Sequence, residues 1–173
     1  MSSPVVVLVG PPGAGKSTVG ELLARVYGVG FRDTDADVEA AAGRSVADVF
    51  LEEGEETFRA LERAAVVAGL AEHDGVLALG GGAVLDPATQ ADLAAHTVVF
   101  LDVSLAEAAP RVGLSGARPL LVGNPRARWQ ALMAQRRPIY ERVATVRVGT
   151  DGIAPDEVAQ RVLDALEAVQ EDA

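Results

Sequence analysis

Short apolar runs alternate along the chain with longer stretches of helical periodicity. Residues 5–9 are continuously apolar, as in a strand buried on both faces, and a helical pattern follows over Lys16–Tyr27, where Gly28 is placed to end it. Four more strands are predicted at residues 29–32, 76–79, 97–101 and 144–148. Strands that alternate with helices form a parallel sheet covered on both faces. We therefore expect a three-layer α/β/α fold with a five-stranded parallel sheet.

Boundary signals place the other helices. One begins near Ala36, and a second opens at the capping box SVAD, residues 45–48, and is broken by Gly54. The remaining helices are predicted at residues 55–72, from Asp86 and Pro87 to about His96, after Ser104 to about Arg111, from 125 to a break at Arg136, Arg137 and Pro138, and at 155–170.

Composition restricts the class of protein. The 173 residues are 49% hydrophobic and 23% charged, enough for a single domain over 1–173 with a sizeable core. The formal charge of −10 argues against nucleic acid or an anionic membrane as partner. Cysteine is absent, and no apolar run approaches the roughly 20 residues of a membrane span. We expect a cytoplasmic monomer that binds small molecules.

Basic charge is concentrated in one part of this acidic chain. Between Ala108 and Val148, eight arginines stand against a single acid, Glu141. Such a surplus predicts a bound anion, and phosphate is the obvious one, although a solvated basic helix face would give the same pattern. Lys16 is the only lysine, against fourteen arginines. A lysine is therefore used at the one place where a compact ammonium suits the chemistry better than a planar guanidinium.

That lysine belongs to a phosphate-binding loop. Residues 10–18, GPPGAGKST, fill every fixed position of the GxxxxGK[ST] pattern and lie between a predicted strand and a predicted helix. Backbone N–H groups from Gly13 onward would converge on an anion, Lys16 would reach the β and γ phosphates, and the Ser17 hydroxyl would bind Mg²⁺. The predicted ATP-binding residues of this loop are Gly13, Ala14, Gly15, Lys16, Ser17 and Thr18.

Two acids follow the second predicted strand. Asp33 and Asp35 stand two residues apart, so in an extended segment both would face one site, at the sheet edge where ligands bind. Either could instead cap the helix near Ala36. Because the chain also has a phosphate loop, we favour a role in the active site over helix capping for Asp33 and Asp35. Asp102, at the end of VVFLD, is a rival for the magnesium shell, but its place before the capping box of Ser104 favours a structural role.

Further residues describe an acceptor site. The loop of Gly80, Gly81 and Gly82 follows the third strand and lets a ligand approach the backbone, and Arg59 and Arg136 would bind an anionic group bidentately. Phe50 and Phe58 lie near Arg59 and are either core residues or substrate contacts. The glycine-rich segment 113–124 carries Arg118 and is predicted to be a mobile lid that closes over phosphate.

Together these parts suffice for phosphoryl transfer from a nucleotide to a small hydroxy acid. A nucleophile elbow, a zinc-binding helix and a dinucleotide fingerprint are all missing from the sequence, so hydrolase and dehydrogenase functions have no support.

The motifs resemble those of the shikimate kinase family, in its order and at its spacing. They are GPPGAGKST at 10–18, DTD at 33–35, FRALE at 58–62, GGGAV at 80–84, RPLL at 118–121 and RRPIYERVA at 136–144. The resemblance implies a P-loop kinase fold of the nucleoside monophosphate kinase type. It also implies ATP-dependent phosphorylation of the 3-hydroxyl of shikimate, a step of aromatic amino-acid synthesis, with the substrate-binding region at about 33–62.

The resemblance also implies individual roles. Asp33 would hold Mg²⁺ through water, and Asp35 would bind the reacting hydroxyl and act as its base. The remaining implied contacts are Arg59, Arg136, Gly81 and Gly82 to the carboxylate and ring hydroxyls, Arg118 to the phosphates and Arg111 to the adenine. Arg137 stands where the family often has a small residue, and no role is implied for it. The rival hypotheses are another small-molecule kinase of this fold, for gluconate or a nucleoside monophosphate, and a regulatory nucleotide switch.

Overall fold

A computed structural model of the chain describes residues 3–112 and 125–172. Its elements alternate as predicted. The strands are β1 (Val6–Val9), β2 (Phe31–Asp33), β3 (Val76–Ala78), β4 (Val98–Asp102) and β5 (Val146–Gly149). The helices are α1 (Lys16–Tyr27), α2 (Thr34–Ala42), α3 (Val46–Glu53), α4 (Glu55–Glu72), α5 (Pro87–Leu93), α6 (Leu105–Val112), α7 (Pro125–Val143) and α8 (Pro155–Glu171), with a 3₁₀ turn at Ala83–Leu85.

The five strands form one sheet in the order β2-β3-β1-β4-β5, and every neighbouring pair is parallel. β1 and β4 are buried along their whole length, as their continuous apolar runs predict. Because all strands run in the same direction, their carboxyl ends meet at one edge. The predicted fold class is confirmed. None of the described helices is long and apolar enough to cross a membrane.

The helices α2, α3 and α4 enclose a second, smaller core. It consists of Val38, Val49, Phe58 and Ala65, separate from the main core that lies on the sheet. Ser45 caps α3 by accepting a hydrogen bond from the Asp48 N–H at 3.1 Å, as its capping box predicts. This helical cluster therefore places Asp35 and Arg59, which lie on α2 and α4, on a structure of its own beside the sheet.

β2 begins two residues later than predicted, at Phe31. The cause is the way α1 ends. Gly28 adopts the left-handed conformation and donates to Arg25, and the next N–H, of Val29, donates back to the Ala24 carbonyl oxygen at 2.9 Å. This pair of bonds is a Schellman motif, so Val29 completes the helix end and is not available to the sheet.

Two helix boundaries were predicted wrongly. α5 ends at Leu93, three residues before His96, although Asp86 caps it as expected through a 2.9 Å hydrogen bond from the Ala88 N–H. α7 is not broken at Pro138 but continues to Val143. A proline removes one hydrogen bond from a helix interior. Arg137 and Tyr140, on either side of Pro138, bond to residues that follow or end the strands β4 and β3, and these bonds hold α7 in place across the proline.

Candidate active site

The phosphate loop has the shape that its glycines allow. A Cβ on Gly10 would overlap the carbonyl oxygen of Leu101 in β4, so the loop passes close to the neighbouring strand. Gly15 lies in the left-handed region at φ 89° and caps α1 without a side-chain hydrogen bond. The N-cap residue therefore has no side chain to bond the first N–H groups of α1, and such groups are the ones with which the start of a helix binds an anion. Lys16 Nζ donates to the carbonyl oxygens of Gly10 and Pro11, at 2.7 and 3.1 Å.

Ser17 and Asp33 come together as a candidate metal site. The Ser17 hydroxyl donates to Asp33 Oδ2 at 3.3 Å, which joins the start of α1 to the end of β2. A hydroxyl and one carboxylate fit Mg²⁺, which keeps several waters and takes further oxygens from phosphate. No group of three or more acids or histidines suited to a metal occurs in residues 3–112 and 125–172. The fit therefore rests on these two oxygens alone.

The two acids at 33 and 35 do not share one extended segment. Asp33 ends β2 and is itself the N-cap of α2, since its Oδ1 accepts from the Asp35 N–H at 2.9 Å. Asp35 already lies in the first turn of the helix. The prediction that Asp33 and Asp35 share one extended segment is wrong. The two roles weighed for Asp33, helix cap and ligand-binding residue, do not exclude each other, because its carboxylate has two oxygens. One carboxylate oxygen of Asp33 caps the helix while the other reaches Ser17.

Charged side chains surround the triple glycine that follows β3. A Cβ on Gly80 would lie 2.6 Å from Asp35 Oδ1 and 3.0 Å from Glu62 Oε2, so two carboxylates face this residue. The Gly80 N–H donates to Thr34 Oγ1 at 3.0 Å, and Thr34 is fully buried. The middle residue of the DTD motif thus fixes the start of the glycine loop.

Two arginines approach the next two glycines. A Cβ on Gly82 would overlap the guanidinium of Arg59, with Nη2 at 2.7 Å, and a Cβ on Gly81 would lie 3.3 Å from Arg136 Nη1. The Gly81 position also lies 3.0 Å from the Pro12 Cδ. A side chain at Gly81 or Gly82 would displace these groups, because they pack directly on the glycine backbone. The phosphate loop and the triple glycine are therefore in contact.

Glu62 is a site residue to which sequence reasoning assigned no role. Its carboxylate is buried, with 4% of the residue exposed, and accepts from Arg59 Nη1 at 2.8 Å. Burial raises the pKa of Glu62 above its usual 4.5, and Arg59 opposes this while Asp35 adds to it. The available signal was the FRALE spacing, which puts Arg59 and Glu62 three residues apart on one helix face.

Arg136 is 2% exposed, and its Nε has no hydrogen-bond partner in the part of the chain that the structure describes. A buried guanidinium without full pairing is costly, so this side chain is prepared for an anionic partner. Tyr140 lies one turn further along α7, and its hydroxyl donates to the Gly81 carbonyl oxygen at 2.5 Å. Tyr140 was not among the predicted site residues.

The two phenylalanines pack with each other in the helical cluster. Phe50 and Phe58 meet edge to face at 5.8 Å between ring centroids, and Phe58 is buried. The guanidinium carbon of Arg59 lies 5.2 Å from the centroid of the Phe58 ring. The Phe58 ring therefore packs against the guanidinium of Arg59. Their contact with a substrate stays a prediction.

Asp102 has the structural role that its position favours, and Arg137 is its partner. Asp102 is buried and accepts from Arg137 through both carboxylate oxygens, at 2.7 and 2.9 Å, and from Arg147 Nη2 at 2.6 Å. Burial alone would raise the pKa of Asp102, but the bonds and charges of Arg137 and Arg147 outweigh it and hold the pKa below 3.8. Both oxygens of the Asp102 carboxylate are bonded to arginines, and among the described residues no hydrogen bond joins Asp102 to the pair of Ser17 and Asp33.

Two predicted nucleotide contacts cannot be placed. Arg118 and the lid at 113–124 lie outside the described residues, as does the side chain of Arg111, whose backbone belongs to α6. Their roles stay predictions.

Known proteins of one family resemble this chain over nearly its whole length. The family model for shikimate kinase matches residues 12–167. Shikimate kinases of Streptomyces coelicolor and Streptomyces avermitilis are 58% and 59% identical over 167 residues, or 96% of this chain and 98% of each relative. A solved structure of shikimate kinase from Acinetobacter baumannii in complex with shikimate is 33% identical, with a TM-score of 0.91 over 97% of this chain and 94% of that one.

Proposed function

Because the chain belongs to the shikimate kinase family, we propose that it transfers the γ-phosphoryl group of ATP to the 3-hydroxyl of shikimate. The products are shikimate 3-phosphate and ADP. The observation that carries the proposal is the meeting of Asp35, Arg59 and Arg136 at the triple glycine, in contact with the phosphate loop. Two cations and two carboxylates, of which Glu62 is paired with Arg59, surround a narrow backbone loop, and this arrangement matches a small acid that also carries hydroxyl groups.

The donor half of the site binds the nucleotide through the phosphate loop. First-turn N–H groups of α1 bind the phosphates, and Lys16 leaves its two carbonyl acceptors to reach the β and γ phosphates. Ser17 and Asp33 would hold Mg²⁺, Ser17 directly and Asp33 through water. When bound, the ion offsets the negative charge that develops on the phosphate oxygens.

The acceptor half orients shikimate. Arg59 and Arg136 bind the carboxylate together with the backbone of Gly81 and Gly82, which leaves the 3-hydroxyl facing Asp35. Asp35 takes the proton of that hydroxyl as its oxygen bonds to the γ phosphorus. The bond from the γ phosphorus to the bridging oxygen breaks at the same time, and ADP leaves.

An acceptor assay tests this function. The purified protein is incubated with ATP and Mg²⁺ and offered shikimate, gluconate or AMP separately, and ADP release is measured. We expect ADP release with shikimate only. Turnover confined to gluconate or AMP would overturn the substrate, and slow ATP hydrolysis independent of any acceptor would indicate a nucleotide switch instead.

A further inference from the structure

Tyr140 of α7 holds the middle residue of the triple glycine. Its hydroxyl donates to the Gly81 carbonyl oxygen at 2.5 Å, and its ring stacks on Phe100 of β4 with centroids 5.0 Å apart and planes 28° apart. The residue is fully buried. Both the ring and the hydroxyl are therefore fixed, so the carbonyl of Gly81 is held against an immobile donor.

A loop of three glycines needs such an anchor more than other loops do. Glycine has the widest choice of backbone conformations and loses the most entropy when it is ordered. Here the Gly80 N–H is held by Thr34, and the Gly81 carbonyl is held by Tyr140. Two consecutive residues of the loop are thus attached to two different helices, α2 and α7.

The bond from Tyr140 also decides where the next N–H points. The Gly81 carbonyl and the Gly82 N–H belong to one planar trans peptide unit, so they point in opposite directions. A carbonyl that is held toward Tyr140 directs the Gly82 N–H away from the phenol. Gly82 is the residue that packs on the Arg59 guanidinium, so this donor lies beside a cation of the acceptor site.

Tyr140 and Arg136 are four residues apart on α7 and therefore share one face of the helix. Gly81 lies between them, since a Cβ there would be 3.3 Å from Arg136 Nη1 and its carbonyl accepts from Tyr140. One turn of α7 thus supplies a cation and a backbone anchor to the same residue of the loop.

We propose that Tyr140 is a positioning residue of the acceptor site, whose hydroxyl orients the Gly81–Gly82 peptide so that its N–H is aimed at the acceptor before binding. The proposal rests on the proposed function for the identity of the acceptor. Tyr140 itself does not touch the reacting atoms; it acts through the glycine loop. Preorganisation of this kind lowers the entropy lost when the ligand binds.

The donor role of Tyr140 is independent of pH in the range where kinases are assayed. Burial raises the pKa of its phenol to about 12, although the neighbouring Arg136 guanidinium opposes the shift. The hydroxyl therefore keeps its proton and remains a donor to Gly81.

The substitution Tyr140→Phe tests the proposal, because it removes the hydroxyl and keeps the ring that stacks on Phe100. We expect the KM for shikimate to rise roughly 5- to 20-fold, the scale of a buried carbonyl that loses its donor. The KM for ATP and kcat should stay within about twofold, since the phosphate loop is not attached to this hydroxyl. Tyr27→Phe is the matched control, because Tyr27 is the only other tyrosine and is exposed on α1.

The split between the kinetic constants separates positioning from a purely structural role. If Tyr140→Phe only lowers the melting temperature and leaves the KM for shikimate unchanged, or raises the KM values for both substrates equally, the proposal is wrong. Equilibrium binding of shikimate without ATP should weaken by the same factor as the KM. Should the wild-type protein turn over a different acceptor, the proposed function fails on its own, and the same comparison is made with the KM for that acceptor.

Discussion

Arg137 places both terminal nitrogens of its guanidinium on the carboxylate of Asp102, with Nη1 2.7 Å from Oδ2 and Nη2 2.9 Å from Oδ1. The pair attaches α7 to the carboxyl end of β4, and Arg147 of β5 donates to the same carboxylate. A single buried acid thus connects three elements. This arrangement explains how α7 continues past Pro138, since Arg137 is held on one side of the proline and Tyr140 on the other.

Asp102→Asn should lower the free energy of unfolding by about 2 kcal/mol, because two partly exposed guanidiniums lose their charged acceptor. Urea-induced unfolding measures the change. Asp164→Asn is the control, since Asp164 is exposed and accepts only from Gln160 among the described bonds; it should change stability by less than about 0.5 kcal/mol. Equal midpoints for Asp102→Asn and the wild type would show that the cluster contributes nothing. The Mg²⁺ concentration needed for half-maximal turnover should not change. A large change in it would indicate that Asp102 contributes to Mg²⁺ binding.

The same carboxylate predicts a loss of stability in acid. The pKa of Asp102 in the folded chain lies below 3.8, its usual value. Its stabilisation is therefore fully present above that value and is lost as the pH falls through the folded pKa. The difference in unfolding free energy between the wild type and Asp102→Asn should be constant above about pH 5 and should shrink at lower pH. A difference that is the same at all pH values would contradict the role of this charge.

Glu62 predicts the opposite trend. Burial raises its pKa in the folded chain above 4.5, so its favourable contribution is present below that value and is lost as the pH rises through the folded pKa. The unfolding free energy of the wild type minus that of Glu62→Gln should therefore decrease as the pH rises above the usual glutamate pKa of 4.5. Glu167→Gln, on the exposed side of α8, controls for the loss of one negative charge. A difference that grows with pH would mean that Arg59 outweighs burial.

Gly82→Ala should damage shikimate binding without affecting ATP. The new methyl group would overlap the guanidinium of Arg59 and displace it. Loss of a charged hydrogen-bonding partner should raise the KM for shikimate at least about tenfold. Gly149→Ala is the control, because a Cβ there meets no atom within 4 Å. A normal KM for shikimate in Gly82→Ala would indicate that the position of Arg59 is not important for binding the acceptor.

Asp35→Asn should lower kcat by roughly 10²-fold or more, the scale of a lost general base. Binding of a non-hydrolysable ATP analogue, measured by calorimetry, should be unchanged because the phosphate loop is intact. Asp37→Asn, on the same helix and paired with Arg32 at 2.7 Å, should keep kcat within about threefold. Near-normal turnover in Asp35→Asn would remove this residue from the mechanism.

Local signals along the chain predicted most of the fold. The bounds of α1 and α4 follow from helical spacing and from the glycines at 28 and 54, and the phosphate loop follows from its own pattern. These features depend on neighbours in sequence, so they can be derived from it. The resemblance to shikimate kinases, based on motifs and their order, is confirmed by the family model and by relatives near 58% identity.

The errors have two causes. The late start of β2 follows from a local motif that was not recognised, because Val29 bonds back to Ala24 five positions earlier at the end of α1. The continuation of α7 past Pro138 depends on distant residues, because Arg137 and Tyr140 are anchored to β4 and to the glycine loop. Helix propensity carries no information on such anchors, since it describes only the local backbone cost of a proline.

For this protein the sequence alone determined the alternating fold, the donor loop with its single lysine, and the residue types of the acceptor site. The tertiary structure decided how those residues are paired. In the folded chain Glu62 is buried and bonds to Arg59, three positions away. Asp102 pairs with Arg137 across 35 positions, and Tyr140 bonds to Gly81 across 59. A residue type limits which bonds a side chain can make, but partners that are far apart in sequence meet only when the strand order and the helix packing bring them together.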